Sequence, residues 1–147
     1  MIEFTSDTSL KERAQYFARS QGLESALVCA VIEQESGWST WAMRYEPAFF
    51  IRYVASQVNL SDTERQARAT SWGLMQVMGQ VARERGFGQK FLSSLCDPDF
   101  GLAVGCEYLK HILDGHGGDV ANALQRWNGG ANPDYAQEVM ARMSKYQ

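Results

Sequence analysis

The chain has 147 residues, with 14 basic and 17 acidic side chains and a net charge of −3. This length fits one domain, residues 1–147, and is long enough to bury about two-thirds of the surface of the unfolded chain. Hydrophobic residues make up 45% and charged residues 21%, which excludes disordered, collagen-like and coiled-coil chains. Because there is no basic surplus, we expect no nucleic-acid partner. No apolar run approaches the roughly 20 residues that cross a bilayer, so we expect no membrane insertion.

The N-terminus and the cysteines bear on the compartment of the protein. Residues 1–7 lack the cationic start and the apolar stretch of a signal peptide, so we expect synthesis in the cytoplasm. The cysteines Cys29, Cys96 and Cys106 include no Cys-x-x-Cys pair, which argues against a disulfide framework and a cysteine zinc site. Cys29 lies in an apolar run that is typical of the core. The sequence does not decide whether Cys96 and Cys106 form a disulfide, because such a bond needs an oxidising compartment.

Capping signals divide the chain into short helices. In chain order they predict helices over residues 9–22 and 23–35, one that starts at residues 46–47, and further helices over 61–69, 73–85, 98–114, 120–127 and 132–146. Alternating strand patterning is nearly absent, and only a weak signal for a short hairpin occurs at residues 41–45. The predicted fold class is therefore mainly α, with about seven or eight short helices.

Several common catalytic and cofactor motifs are missing. His111 and His116 are five positions apart and lack the His-x-x-x-His spacing, with a glutamate inside, of zinc proteases. The sequence also contains no Gly-x-Ser-x-Gly nucleophile elbow, no P-loop and no Gly-x-Gly-x-x-Gly fingerprint. We therefore expect neither a metal site nor a cofactor.

A glutamate at the end of an apolar helix is the strongest candidate for acid–base chemistry. Residues 26–32 are apolar on every face, which predicts a buried helix, and Glu35 follows them beside Trp38. Desolvation there raises the pKa of a carboxyl group and keeps it protonated, as a general acid requires. Glu33 has a similar claim because it shares a helix face with Cys29 and Ala30, and an exposed glutamate at a helix end is the alternative for both.

Two further segments combine glycine, an aromatic ring and an amide at a helix boundary. They cover residues 70–76 and 127–132. Aromatic faces pack on sugar rings and amides bond to hydroxyl and N-acetyl groups, so both segments suit a carbohydrate ligand. A helix cap with a buried aromatic side chain is the alternative for each.

Four short motifs occur in a fixed order: Glu-Ser-Gly at 35–37, Gly-Leu-Met-Gln at 73–76, Glu-Tyr-Leu at 107–109 and Trp-Asn-Gly-Gly at 127–130. In this order they resemble the soluble lytic transglycosylase domain of glycoside hydrolase family 23, which also includes goose-type lysozymes. The resemblance covers about residues 10–135. It implies a lysozyme-like α fold that binds peptidoglycan glycan strands and cleaves the β-1,4 bond between N-acetylmuramic acid and N-acetylglucosamine.

The resemblance also assigns residue roles. Glu35, rather than Glu33, becomes the catalytic acid, and Asn128 lies close to the reacting sugar. The family has Tyr where this chain has Trp127, and an indole cannot accept a hydrogen bond. If the site needs a phenol oxygen at that position, Tyr135 is the candidate to supply it. The remaining expected substrate-binding or supporting side chains are Ser71, Met75, Gln76 and Tyr108, with Glu107 either supporting the site or structural.

A long segment between Glu35 and Gln76 holds a candidate for a second carboxylate. Residues 43–50 are similar to an Arg-aromatic-Glu-Pro motif of some phage-type muramidases, which makes Glu46 the candidate. The alternative for Glu46 is a structural acid at a helix N-terminus, paired with Arg44 and stabilised by the helix dipole.

Two catalytic outcomes therefore remain open at the level of sequence. A lytic transglycosylase closes a 1,6-anhydro ring with Glu35 alone, whereas an inverting lysozyme uses a second carboxylate such as Glu46 to activate water. Neither route needs a cofactor. A non-catalytic glycan-binding module is a third hypothesis. We expect a monomer that acts in the periplasm or cell wall, reached by phage endolysin release or with a secretion machine.

Overall fold

The computed structural model describes residues 8–147, and the N-terminal prediction for residues 1–7 falls outside them. The predicted mainly α, lysozyme-like fold class is confirmed. In chain order the elements are α1 (Leu10–Ser20), α2 (Ser25–Ser36), β1 (Met43–Tyr45), α3 (Pro47–Phe49), a π turn (Phe50–Val54), α4 (Asp62–Arg68), β2 (Thr70–Trp72), β3 (Val77–Met78), α5 (Gly79–Glu84), a 3-10 helix (Leu92–Cys96), α6 (Pro98–Gly115), α7 (Val120–Asn128), α8 (Tyr135–Arg142) and a C-terminal 3-10 turn (Met143–Tyr146).

The helix starts follow the capping signals in the sequence. The side chains of Ser9, Ser61 and Asp119 each accept a hydrogen bond from the backbone N–H three residues later, at 3.1–3.2 Å. Each cap satisfies one of the free N–H groups of a helical first turn and contributes about 1 kcal/mol. These caps fix where α1, α4 and α7 begin.

The predicted helix over residues 73–85 is wrong in its first half. Gly73 and Gln76 have left-handed backbones, with φ of 72° and 53°, and a right-handed helix cannot continue through such residues. The chain instead turns into β3, and only Gly79–Glu84 is helical. A tight turn therefore places the Gln76 side chain against the sheet.

The weakly predicted hairpin at residues 41–45 is also wrong. That segment supplies one strand, β1, which pairs antiparallel with β2 so that Met43 lies opposite Trp72 and Tyr45 opposite Thr70. The hairpin is formed by β2 and β3, giving the strand order β1-β2-β3. With only three residues, β1 is too short for an alternating hydrophobic pattern that could indicate a distant partner strand.

The centre of the core is α2, as its apolar sequence predicts. Every residue from Ala26 to Ile32 is buried, and the helix packs against α1, α8 and the C-terminal 3-10 turn. The three cysteines are buried free thiols. Cys96 and Cys106 therefore do not form the disulfide that the sequence left undecided. Burial raises the pKa of the Cys106 thiol to about 12, which keeps it protonated.

Among residues 8–147, no helix is long and apolar enough to cross a membrane. The same residues hold no group of three or more His, Cys, Asp or Glu side chains arranged to bind a metal ion.

Candidate active site

Glu35 lies in the last turn of α2, directly after the buried apolar run. The helix ends at Ser36, and the C-cap residue Gly37, with a left-handed φ of 56°, closes the last turn. Next to Glu35, the Ser36 hydroxyl is 2.7 Å from the Leu74 carbonyl oxygen and donates to it. This bond ties the end of α2 to the segment that leads into Gln76.

Burial gives the Glu35 carboxyl group its chemistry. Desolvation is the largest influence and raises its pKa above the ordinary value. Three groups act in the opposite direction: the Tyr135 hydroxyl, which donates to Oε2 at 3.0 Å, the Trp127 side chain, and the positive charge of Arg44. Desolvation prevails, so the net effect is a raised pKa, while donors already face the carboxyl group.

The environment of Glu33 is the reverse of that of Glu35, although the two are only two residues apart. Glu33 pairs with Arg142 and accepts hydrogen bonds from Tyr146 at 2.8 Å and from Lys145 at 3.0 Å. These donors, Arg142 foremost, lower its pKa to about 2. Glu33 is therefore ionised at any physiological pH and cannot donate a proton. The pKa values of the two candidates are thus shifted in opposite directions.

Tyr135 approaches Glu35 from α8 and is almost fully buried, with 3% of its surface exposed. Its own pKa is raised, first by desolvation and then by the neighbouring carboxyl group, so the phenol stays protonated as a donor. The rings of Tyr108 and Trp127 lie 5.6 Å apart at an angle of 41° and are partly exposed. Tyr135 on α8 and Trp127 on α7 thus approach Glu35 from different helices.

Gln76 and Ser71 use their polar atoms within the protein. The Gln76 amide nitrogen donates to the carbonyl oxygens of Ala42 and Gly73, both at 3.0 Å. Its oxygen accepts from the Ser71 hydroxyl at 3.0 Å. These bonds join the residue that precedes β1, the turn and β2. Met75 has no exposed surface, so in this structure it packs in the core beneath the turn and does not line a groove.

Asn128 closes the loop after α7. With its amide oriented to suit its neighbours, the side-chain oxygen accepts from the backbone N–H groups of Ala131 at 3.2 Å and Asn132 at 2.8 Å. Gly129 provides the left-handed end of the helix, with φ of 75°. The predicted contact of Asn128 with the sugar stays a prediction.

Glu46 forms an ion pair with Arg44, as expected if it is a structural acid at a helix N-terminus. Its carboxylate lies 2.9 Å from Nε of Arg44, and the side chain of Arg44 is 76% exposed. Glu46 precedes the first residue of α3, and its backbone N–H donates to Ala69 at 2.9 Å. The ion pair agrees with the structural interpretation, and the role of Glu46 stays a prediction.

A comparison with known protein families decides the family. The chain matches the family described as Transglycosylase SLT domain over residues 12–145, which is most of its length. It belongs to the SLT family. No solved structure matched the chain. An SLT domain acts on peptidoglycan as a lytic transglycosylase, and a peptidoglycan-acting domain works in the periplasm or cell wall.

Two cavities open on the surface of the SLT domain. One of about 410 Å³ is lined by side chains of α7 and α8, including Gln125 and Met140. The other, of about 310 Å³, lies around Phe87 and Phe100 and includes Glu107, which pairs with Arg85. Glu35 lines neither cavity. The desolvated carboxyl group and its donors, rather than an enclosed cavity, mark the candidate site.

The sequence did not reveal the side chains that hold Glu33 or the influence of Arg44 on Glu35. Glu33 is separated by more than 100 positions in the sequence from each of its partners, Arg142, Lys145 and Tyr146. No local spacing connects residues at that separation. Only the packing of the C-terminal turn against α2 brings them together.

Tyr135→Phe tests the phenol donor. The hydroxyl favours the charged form of Glu35, so its loss raises the pKa of Glu35 further. Because the acid must be protonated to act, the limb where kcat/KM falls with rising pH moves to higher pH. We also expect kcat to fall about tenfold, since the carboxylate left by proton donation loses a hydrogen bond. A pH–rate profile on purified peptidoglycan measures both effects, and an unmoved limb would contradict the role of the phenol.

Proposed function

We propose that this SLT domain cleaves the β-1,4 bond between N-acetylmuramic acid and N-acetylglucosamine and leaves 1,6-anhydro-muramic ends. The observation that carries the proposal is Glu35. It is a desolvated carboxyl group with a raised pKa that faces a phenol, an indole and a cation. The proposed substrate is a peptidoglycan glycan strand, bound beside the turn that holds Ser71 and Gln76.

The first step is proton donation from Glu35 to the glycosidic oxygen. As the bond to the leaving sugar breaks, an oxocarbenium-like centre forms at C1 of the muramic acid. Glu35 becomes negatively charged in this step. The three neighbours that lower its pKa, Tyr135, Trp127 and Arg44, all stabilise that charge. The site therefore combines burial, which favours the proton that Glu35 must donate, with neighbours that stabilise the anion when it forms.

The second step returns the proton to Glu35. Its carboxylate takes the proton of the C6 hydroxyl of the same muramic acid, and O6 bonds to C1. The proton from the C6 hydroxyl replaces the one that Glu35 donated in the first step, so the acid is restored and no water is consumed. By resemblance to the family, the N-acetyl group of the substrate assists at C1. One carboxyl group thus serves both steps, first as acid and then as base.

Hydrolysis by a second carboxylate is the competing function. An inverting glycosidase places its base roughly 6.5–9.5 Å from the acid, with water between them. Arg44, the partner of Glu46, is close enough to influence Glu35, which favours Glu46 as the candidate base. Against this role, the Glu46 carboxylate is already paired with a cation, which makes it a weaker base. This pairing favours transglycosylation.

Glu46→Gln tests the choice between the two reactions. Under transglycosylation we expect activity within about twofold of the unaltered protein, because a solvent-exposed ion pair contributes only about 0–1 kcal/mol. Freed from its partner, Arg44 acts more strongly on Glu35, so the falling limb of the pH profile moves slightly to lower pH. Lysis of purified cell walls measures the rate. A loss of more than about tenfold would indicate a water-activating base.

We further propose that the protein acts as a monomer, which gel filtration with light scattering tests. Its delivery to the wall as a phage endolysin or with a secretion machine is also a proposal. A non-catalytic glycan-binding module is the least supported function, because such a module has no need of a desolvated acid such as Glu35.

A further inference from the structure

We infer that the C-terminal residues Arg142–Tyr146 are a clamp that positions Glu35, with the Tyr146 hydroxyl as its central bond. The clamp acts on the residues on either side of Glu35 and does not touch Glu35 itself. Tyr146 is therefore a positioning residue. The inference rests on the proposed role of Glu35 and adds a determinant of where the acid stands.

The clamp holds the two residues that precede Glu35. Glu33 pairs with Arg142 and accepts from Lys145 at 3.0 Å and Tyr146 at 2.8 Å. Arg142 also donates from Nε to the Gln34 side-chain oxygen at 2.7 Å. Two consecutive side chains of the catalytic turn are thereby fixed to the end of the chain.

The clamp also holds the turn that follows Glu35. Gly37 and Trp38 both have left-handed backbones, with φ of 56° and 69°. At Trp38, which is not a glycine, this conformation is strained and persists only where the surroundings enforce it. The Trp38 indole N–H donates to the Tyr146 hydroxyl at 3.0 Å, and the two rings lie 6.1 Å apart. This contact supplies the restraint that the strained turn requires.

One hydroxyl group therefore bridges both sides of the catalytic residue. Tyr146 accepts from Trp38 and donates to Glu33, which spans the segment from two residues before Glu35 to three residues after it. On the other side of the same turn, Tyr135 of α8 donates to Glu35. Since α8 leads directly into the C-terminal turn, one continuous segment of chain sets the position of the acid from both sides.

Displacement of the turn would change the surroundings of the acid in a measurable way. The groups that face Glu35 are Tyr135 from α8, Trp127 from α7 and Arg44 from β1, and each favours the charged form. Desolvation alone opposes them. A turn that moves more freely admits water to the carboxyl group, which weakens desolvation and lowers the pKa of Glu35.

Tyr146→Phe is the test, because it keeps the ring and removes only the hydroxyl. We expect kcat to fall about tenfold with an unchanged KM for soluble glycan strands, since misplacement affects the transition state more than binding. We also expect the falling limb of the pH profile to move to lower pH, opposite to the shift expected for Tyr135→Phe. Trp38→Phe, which removes the donor at the other end of the bridge, should change both quantities in the same directions.

Tyr53→Phe is the matched control, because Tyr53 is exposed on the π turn and the substitution again removes one hydroxyl. It should leave kcat, KM and the pH profile unchanged. Circular dichroism and thermal unfolding establish the folded fraction of each variant, and rates are taken well below the unfolding midpoint. A purely structural role would lower the midpoint without moving the pH limb.

The outcomes separate the clamp from the function of Glu35. If Glu35→Gln is inactive while Tyr146→Phe keeps both its kcat and its pH profile, the clamp is overturned and the proposed function stands. If Tyr146→Phe loses activity only in proportion to its folded fraction, the clamp is likewise overturned. Activity retained by Glu35→Gln would overturn the proposed function and the clamp together.

Discussion

Glu35→Gln is expected to reduce the clearing of cell-wall suspensions by at least about a hundredfold while the fold stays intact. The substitution keeps the shape of the side chain and the acceptor for Tyr135 but removes the proton that the leaving oxygen needs. General acid catalysis contributes about 10²–10⁴-fold to rate, which sets the expected size of the loss. Turbidity measured over the range of active pH records it.

The exposed Glu12→Gln provides the matched control for this experiment, because Glu12 lies in the first turn of α1, outside the candidate site. It should clear the suspension at the normal rate. Equal far-ultraviolet circular dichroism and unfolding midpoints would show that Glu35→Gln is folded. More than a few per cent of the original activity in the folded Glu35→Gln protein would remove Glu35 from the mechanism.

Gly79→Ala is expected to destabilise the protein by about 3 kcal/mol and to lower the unfolding midpoint by about 10 °C. A Cβ atom at Gly79 would meet the carbonyl oxygen of Ala67, and it would lie 2.9 Å from both Cα of Arg68 and Cδ1 of Leu92. Because the first two neighbours are backbone atoms, no side-chain rotation relieves the contact. The strain falls where α5 packs against α4, beside the strands that carry the Gln76 turn.

Gly115→Ala is the matched control for Gly79→Ala. Gly115 is the last residue of α6, and a Cβ atom there meets nothing within 4 Å. Alanine also loses less backbone entropy than glycine when a helix forms, so the control should equal or slightly exceed the stability of the original protein. Equal midpoints for the two variants in thermal unfolding would refute the close contact at Gly79.

The elements that the sequence predicted well are those set by local chemistry. The start of α1 follows from the side chain of Ser9, and the burial of α2 follows from seven consecutive apolar residues. Neither feature depends on a distant partner. The predicted desolvation of Glu35 follows from the same run, because a side chain in the last turn of a buried helix cannot be fully hydrated.

The features that the sequence missed depend on pairing across the fold. β1 finds its partner strand 27 positions further along the chain, as the Ser71–Arg44 contact shows, and its three residues carry no signal for that partner. The left-handed backbone of Gln76 breaks a stretch with good helical patterning, and this conformation is uncommon outside glycine.

The choice between Glu33 and Glu35 shows the same division. Both follow the apolar run of α2, and local pattern gave each a claim to acid chemistry. Their pKa directions differ because desolvation raises the pKa of Glu35, whereas hydrogen bonds from α8 and the C-terminal turn, Arg142 foremost, lower the pKa of Glu33. The resemblance to the family predicts Glu35 as the acid by its position, and the raised pKa of Glu35 supports that prediction.

Mass spectrometry of the muropeptides released from purified peptidoglycan tests the central claim most directly. Transglycosylation by Glu35 alone predicts products that end in 1,6-anhydro-muramic acid, lighter by one water than the hydrolytic products. The anhydro ends should disappear with Glu35→Gln and persist with Glu46→Gln. Products with reducing muramic acid ends would contradict the account and would make the protein a muramidase with Glu46 as the foremost candidate for its base.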